Sequence, residues 1–186
     1  MGLDINIAVD NFDEVYHDDA YDHDKHSLSR TFCYLMCRQY EIEEESELDQ
    51  IGRIAGVDIG YLYEMEKYPD EEELKFILST EESEEEKQNI ISKAEENKEN
   101  LKGNIDKAFN LVHNLIDKLN KIANLPGLLN PTDHDTLGND AYFSDFNVDK
   151  GDGYIGNNFG QDLRNFKRFL ELAKSKGTTT VWFTYG

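Results

Sequence analysis

Between Ser83 and Leu125 the apolar residues recur at alternating steps of three and four. They are Ile91 and Ala94, then Leu101, Ile105, Ala108, Val112, Leu115, Leu119 and Ile122, with Lys98 out of pattern. That spacing places them on one side of a helix and predicts a long amphipathic helix over 83–125. Ser83 with Glu86 three residues on forms a capping-box start, and Leu125-Pro126-Gly127 forms a stop. Unbroken, such a helix is ~60 Å long, against a radius of gyration of ~16 Å for a compact chain of this size. Its seam must therefore be covered by the chain's own core, by a second copy in a homodimer, or by a partner. Gly103 costs roughly 1 kcal/mol against alanine in a helix, so Lys102-Gly103-Asn104 is where the helix would break into a hairpin. Phe109 and Ile116 widen the stripe beyond a coiled-coil seam, which favours packing on the chain's own core.

At the start, Leu3, Ile5, Ile7 and Val9 alternate with Asp4, Asn6, Ala8 and Asp10; at the end, Val181, Phe183 and Tyr185 alternate in the same way. Both ends read as half-buried strands sharing one sheet. Helices are predicted from Ser27 or Ser29 to Tyr40, from Asp70 to Leu78, and from Gln161 to Lys176, the last with Leu163, Phe166, Phe169, Leu170 and Ala173 inward and Gly177 at its end. Tyr142, Phe143, Phe146 and Val148, then Asp149-Lys150-Gly151-Asp152-Gly153 and Tyr154-Ile155, predict a β-hairpin over 141–157. The expected fold is a single α+β domain: a small, mostly antiparallel sheet from both termini and that hairpin, packed with several helices.

The stretch 48–67, LDQIGRIAGVDIGYLYEMEK, resembles the helix-turn-helix of LacI-type repressors: Ile51, Gly52, Ala55-Gly56-Val57 at the turn, then Leu62 and Met65. Gly56 takes the left-handed turn and the apolar positions lock two short helices. A reading helix presents Arg, Lys, Asn or Gln to bases and phosphates. Here it offers Asp58, Tyr61, Glu64 and Glu66 with Lys67 as its one cation, so a core hairpin is favoured over a DNA-binding regulator.

Charge sharpens the picture. The net charge is −20. Residues 1–86 hold 26 acids and 6 bases, and residues 87–186 hold 13 of each, so the whole imbalance lies in the first half. Such a face suits a basic protein partner or divalent cations and repels nucleic acid. No run approaches the ~18 apolar residues of a membrane span, and the first ten residues lack the basic start and apolar stretch of a signal peptide. Met1-Gly2 has Asn6 where a myristoylation motif wants Ser or Thr. The expectation is a cytoplasmic protein with no membrane contact. Cys33 and Cys37 lie one helical turn apart, as small core residues rather than a disulfide framework.

Candidate chemistry is confined to the loop 11–26, dense in acids and histidines. His17, Asp22, His23 and His26 are the candidate ligands for a divalent metal, with Asp133-His134-Asp135 as a distant supply. Asp152-Gly153-Tyr154-Ile155 is similar to the middle of an EF-hand loop. Aligning Gly153 with the loop glycine, however, puts Val148, Lys150 and Phe159 where carboxylates belong. No other cofactor is implied. There is no Gly-rich phosphate loop, no nucleophile elbow and no zinc-protease pair.

From end to end the order resembles a group of small uncharacterised phage and bacterial proteins. The resemblance rests on Met1 to Ile5, on the helix 27–40, and on Gly153-Tyr154 through Phe166, Phe169 and 181–183. It leaves out the long helix and implies a mobile-element or host-interaction context without an activity. The leading expectation is a non-enzymatic acidic interaction protein that binds a basic protein, for instance as a decoy for a nucleic-acid-binding one. The alternatives are a metal-dependent hydrolase built on the 13–26 loop and a helix-turn-helix regulator.

Overall fold

The computed structural model describes residues 4–40, 45–130 and 139–186. Strand β1 (Ile5–Val9) pairs antiparallel with β2 (Val181–Tyr185), Ile5 opposite Tyr185 and Val9 opposite Val181. The two ends of the chain thus form one two-stranded sheet, as their alternation requires: Ile5, Ile7, Val9, Val181 and Phe183 all face the core. After β1 come two short helices, α1 (Phe12–Tyr16) and α2 (His23–His26), then α3 (Arg30–Cys37), whose N-cap Ser29 accepts from the Phe32 N–H. Phe183 packs between Phe32 of α3, with ring centroids 6.4 Å apart, and Phe166, 5.4 Å away. Cys33 is buried in this layer as a free thiol, and burial pushes it up to about 12.

Helix α4 (Glu47–Ala55) and the short α5 (Gly60–Glu64) form the predicted helical hairpin. Gly56 sits at φ 65°, ψ 36° and its N–H closes on the Arg53 and Gly52 carbonyls, while Leu48, Ile51, Ile59, Leu62 and Met65 are buried. Gly52 lets the two helices touch: a methyl added there would lie 2.8 Å from Ile59 Cγ1 and 3.0 Å from the Val57 carbonyl oxygen. Gly52→Ala is therefore expected to cost about 1–3 kcal/mol by overpacking, lowering the midpoint of a thermal melt by about 5 °C. An unchanged melt would mean that the hairpin is free to open.

Next follow α6 (Glu71–Thr80), α7 (Glu84–Leu101) and α8 (Ile105–Leu119). The 83–125 stretch is not one helix. It breaks where glycine predicted it would, with Gly103 at φ 71° and Asn104 beyond it. The break is held from outside, because the Asn104 amide donates to the Val181 carbonyl at 2.7 Å and accepts from the Val181 N–H at 2.8 Å, lying along the outer edge of β2 as a third strand would. The seam residues Ala108, Val112, Leu115 and Leu119 are buried in the chain's own core, where α8 lies against α10 (Phe159–Ser175) and α4. Before α10 stands the short α9 (Asn139–Tyr142).

No strand forms between 141 and 157, which corrects the predicted hairpin. The aromatic residues there do point inward: Tyr142, Phe143 and Phe146 ring Phe159 at centroid distances of 5.9, 5.4 and 6.3 Å. Side-chain amides supply the hydrogen bonds that a partner strand would otherwise make. Asn158 Nδ2 donates to the carbonyls of Ser144, Asp145 and Val148, and Gln161 accepts from the N–H groups of Lys150 and Gly151 and donates back to the Gly151 carbonyl. With the backbone satisfied in this way, the segment needs no ladder.

Candidate functional site

The four candidate metal ligands are not assembled into a ligand set. His17 follows α1 with its Nδ1 3.5 Å from Asp13, and His23 lies out on the surface 3.9 Å from Asp24. The Asp22 carboxylate caps α2 through the Asp24 N–H and pairs with Lys25 at 2.7 Å. His26 accepts from the Asp22 N–H at Nδ1, at 2.9 Å, so one of its two ring nitrogens is already used. Among the described residues no three His, Cys, Asp or Glu side chains stand close enough to hold a metal. Asp133-His134-Asp135 lies outside the described residues. Aromatic rings, rather than an ion, organise the segment: Phe12 stacks on Tyr16 at 4.5 Å, Tyr16 meets Tyr21 at 4.8 Å, Tyr21 stacks on His26 at 5.5 Å, and the Tyr16 hydroxyl donates to the Ile7 carbonyl of β1. Burial lowers the pKa of His26 from its ordinary value, which keeps it neutral at pH 7.

The helix-turn-helix hairpin has its turn and its lock but not a reading face. Tyr61 and Glu64 of α5 face α8, where Lys107 places its ammonium 3.6 Å from the centre of the Tyr61 ring, and Lys67 is paired with Glu64 at 2.7 Å. On this face the Tyr61 ring is thus partly covered by the chain's own helix, while Asp58, Glu64 and Lys67 stay exposed.

The acids divide into those the fold uses and those it does not. At 41–49, Glu41, Glu43 and Glu44 lie outside the described residues. Glu45 holds Arg53 at 2.8 Å, Glu47 is fully buried against Arg38 at 3.1 Å, and Asp49 bonds the hydroxyls of Ser46 and Tyr63. These carboxylates are structural. Residues 70–101 differ. The Asp70 carboxylate caps α6 by accepting from the N–H groups of Glu72 and Glu73, and three glutamates fill its first turn where the helix dipole favours them. α6 then buries none of its residues: Phe76 is 66% exposed and Ile77 37% exposed. α7 buries only Ala94 and Leu101, and it returns beside α6, as Lys98 reaches Glu71 at 3.5 Å and lies over the Tyr68 ring. The result is a helical arm with Phe76 and Ile77 exposed and 12 acids against 4 bases between Asp70 and Leu101. Sequence reasoning placed both helices but assigned Phe76 and Ile77 no role. Their signal was their position beside Leu74 and Leu78 on a helix too short to bury four large apolar residues.

A second feature the sequence did not reveal is Asp162. It is completely buried at the start of α10, accepting from the Ser29 N–H at 2.9 Å, the Ser29 hydroxyl at 2.6 Å, the Asn157 amide at 2.8 Å and the Tyr142 hydroxyl at 2.7 Å. Burial raises its pKa to about 6 against the pull of these four bonds. Every lone-pair direction is taken by the chain's own donors, so it ties elements together.

Comparison of the chain with protein-family profiles, with curated proteins and with solved structures gave no match. Among the described residues no helix is long and apolar enough to cross a membrane.

Proposed function

We propose that the chain is a non-enzymatic interaction protein whose acidic arm, α6 and α7, docks on a basic protein. One observation carries this reading: the arm exposes Phe76 and Ile77 inside a field of twelve carboxylates, and the core uses almost nothing of it. An apolar anchor ringed by charge of one sign is the composition of an interface with an oppositely charged partner. The anchor gives affinity, while the charge gives steering and rejects wrong partners. Rows of carboxylates on a helix also offer a nucleic-acid-binding protein a substitute for phosphates, and the decoy form of the proposal rests on that. The setting in a mobile element, suggested by the likeness of the chain's two ends to small phage proteins, belongs to the same proposal.

The test compares the wild-type chain with a variant carrying Phe76→Ser and glutamine at Glu72, Glu73, Glu82 and Glu85. None of these side chains is buried, so both proteins are expected to melt together. In tagged capture from the native host lysate, wild type should retain a basic protein that is released at about 1 M salt, where screening is complete within ~3 Å. The variant should lose at least tenfold of that partner. Equal retention by both, or recovery of nothing but the chain itself, sinks the proposal.

A further inference from the structure

We infer that the free edge of β1 takes up an extended segment of a basic partner protein as an added strand, at a site that shares no residue with the arm and does not depend on it. The register of the sheet fixes which backbone groups are left over. Asp4 and Gly186 exchange both of their backbone hydrogen bonds, at 3.0 and 3.1 Å, and the Asp10 N–H donates to the Thr180 carbonyl at 3.2 Å. By the alternation of an antiparallel ladder, Asn6 and Ala8 are then bonded to β2, while the N–H and C=O groups of Ile5 and Ile7 turn away from it. Val181 on the far edge of β2 obeys the same rule, and both of its outward groups are met by the Asn104 amide. On β1 only the Ile7 carbonyl is met, by the Tyr16 hydroxyl. Among the described residues the Ile5 N–H, the Ile5 carbonyl and the Ile7 N–H have no hydrogen-bond partner. Ile5 and Ile7 are each 3% exposed, and backbone groups on residues so buried are ordinarily paired.

A groove about 400 Å³ in volume follows this edge. Ile5, Asn6, Ile7 and Ala8 all line it, and four consecutive residues of a strand share an edge, never a face. Tyr16, Tyr21, His26 and Leu28 are also part of its lining. An antiparallel segment satisfies the three unpaired groups with two of its residues. One lies opposite Ile5 and offers both its carbonyl and its N–H; the other, two positions earlier, accepts from the Ile7 N–H. The Tyr16 hydroxyl on the Ile7 carbonyl ends the ladder there. Side chains of these two residues point to the same side as the buried Ile5 and Ile7, and the residue between them points to the side of Asn6 and Thr184. Two apolar side chains with a polar one between them fit that pattern.

Charge decides what flanks the inserted residues. No Asp, Glu, Lys or Arg lines the groove, so a charged side chain placed in it would lose water without gaining a partner. Outside the lining the balance is strongly negative: residues 4–26 hold eight acids and one lysine. Asp13 and Asp24 adjoin the lining residues Phe12 and His23, and among the described residues neither has a lysine or arginine within 4.0 Å. A second copy of the chain would bring eight more acids against these, which opposes edge-to-edge pairing of two β1 strands. Lysine or arginine on either side of the inserted residues is attracted by the same field.

The probe is acetyl-Lys-Val-Thr-Val-Lys-amide, titrated at low salt into isotope-labelled full-length protein and followed by amide chemical shifts and hydrogen exchange. Saturable shifts are expected at Ile5 and Ile7, with exchange of these two amides slowed about tenfold or more at saturation; the Asn6 and Ala8 amides, already bonded to β2, should slow far less. N-methylation of the second valine, which removes the N–H offered to the Ile5 carbonyl, should weaken binding about tenfold, whereas N-methylation of the threonine, whose N–H points away from β1, should change it little. A glutamate-ended peptide should bind more weakly than the lysine-ended one. The arm variant with Phe76→Ser should bind the probe as wild type does, so the failure of either proposal is seen apart from the other. The inference is overturned by any of four results: no saturable shift, equal binding of the two N-methylated peptides, tighter binding of the glutamate-ended peptide, or protection of Ile5 and Ile7 that rises with protein concentration alone, which would make a second copy the occupant.

Discussion

Asp162→Ala is expected to cost about 4 kcal/mol or more. The carboxylate gathers four donors from three places in the chain: the N–H and hydroxyl of Ser29, the hydroxyl of Tyr142 and the amide of Asn157. Alanine would leave the buried Ser29 N–H and its neighbours without an acceptor, and each such buried donor costs about 1–3 kcal/mol. The Ser29 hydroxyl also caps α3 by accepting from the Phe32 N–H at 3.2 Å, so losing Asp162 loosens that cap as well. Asp162→Asn should be much milder, about 1–2 kcal/mol. The new amide can face the two hydroxyls, Ser29 and Tyr142, which rotate to accept. Urea denaturation of the two variants checks this, and an alanine cost under about 1 kcal/mol would show that water replaces the carboxylate freely.

The same residue sets a pH dependence with a definite sign. Its pKa is about 6 in the folded chain against an ordinary 3.8, so between these values the folded state holds a proton that the unfolded state has released. The contribution is present in full below about pH 4 and lost as pH rises through about 6, amounting to roughly 3 kcal/mol at ~1.4 kcal/mol per tenfold change in proton affinity. The lowered carboxylates Asp4, Asp18, Asp22, Glu45, Glu96 and Asp149 act in the opposite sense as pH falls below their ordinary values, outside this window, whereas the lowered His26 opposes it within the window and offsets part of it. Wild type should therefore be more stable at pH 5 than at pH 7.5, and Asp162→Asn should remove part of that difference. An unchanged slope in the asparagine variant would assign the effect to the relief of general charge repulsion instead.

Asp162 also marks where the reading of the sequence stops. At the start of an amphipathic helix an aspartate reads as an exposed acid favoured by the helix dipole, and nothing local ties it to Ser29, 133 residues earlier. Periodicity carried the elements whose partners are set by pattern alone: the two terminal strands, α3, α6, α10, and the break at Gly103. It misread 141–157 because alternating aromatic residues signal inward side chains whatever satisfies the backbone, and here the amides of Asn158 and Gln161 do so. The histidine-rich loop was legible as composition only. Whether His17, Asp22, His23 and His26 meet depends on φ and ψ in a short irregular segment, and the rings of Phe12, Tyr16 and Tyr21 settle that conformation.

Leu115→Asp decides what the α8 seam is for, and the expected result is an unfolded chain. Leu115 is completely buried on the stripe with Ala108, Val112 and Leu119, where α8 meets α10 and α4 within one core. Aspartate there both empties the site of a leucine, worth about 2–5 kcal/mol by itself, and buries a carboxylate without a partner. Together these approach the total stability of about 5–15 kcal/mol of an ordinary domain. Far-UV circular dichroism at 25 °C should show the helical signal lost or strongly reduced. Phe76→Asp is the informative contrast: at 66% exposure on the arm it removes apolar surface that the core does not use, and the melt should stay within about 0.5 kcal/mol of wild type. A folded Leu115→Asp chain that passes from dimer to monomer would make the seam an interface between copies. It would also make α10 and α4 insufficient cover for it, against the burial of all four seam residues. The two substitutions therefore separate the half of the 83–125 stretch that holds the domain together from the arm that the domain leaves free to bind.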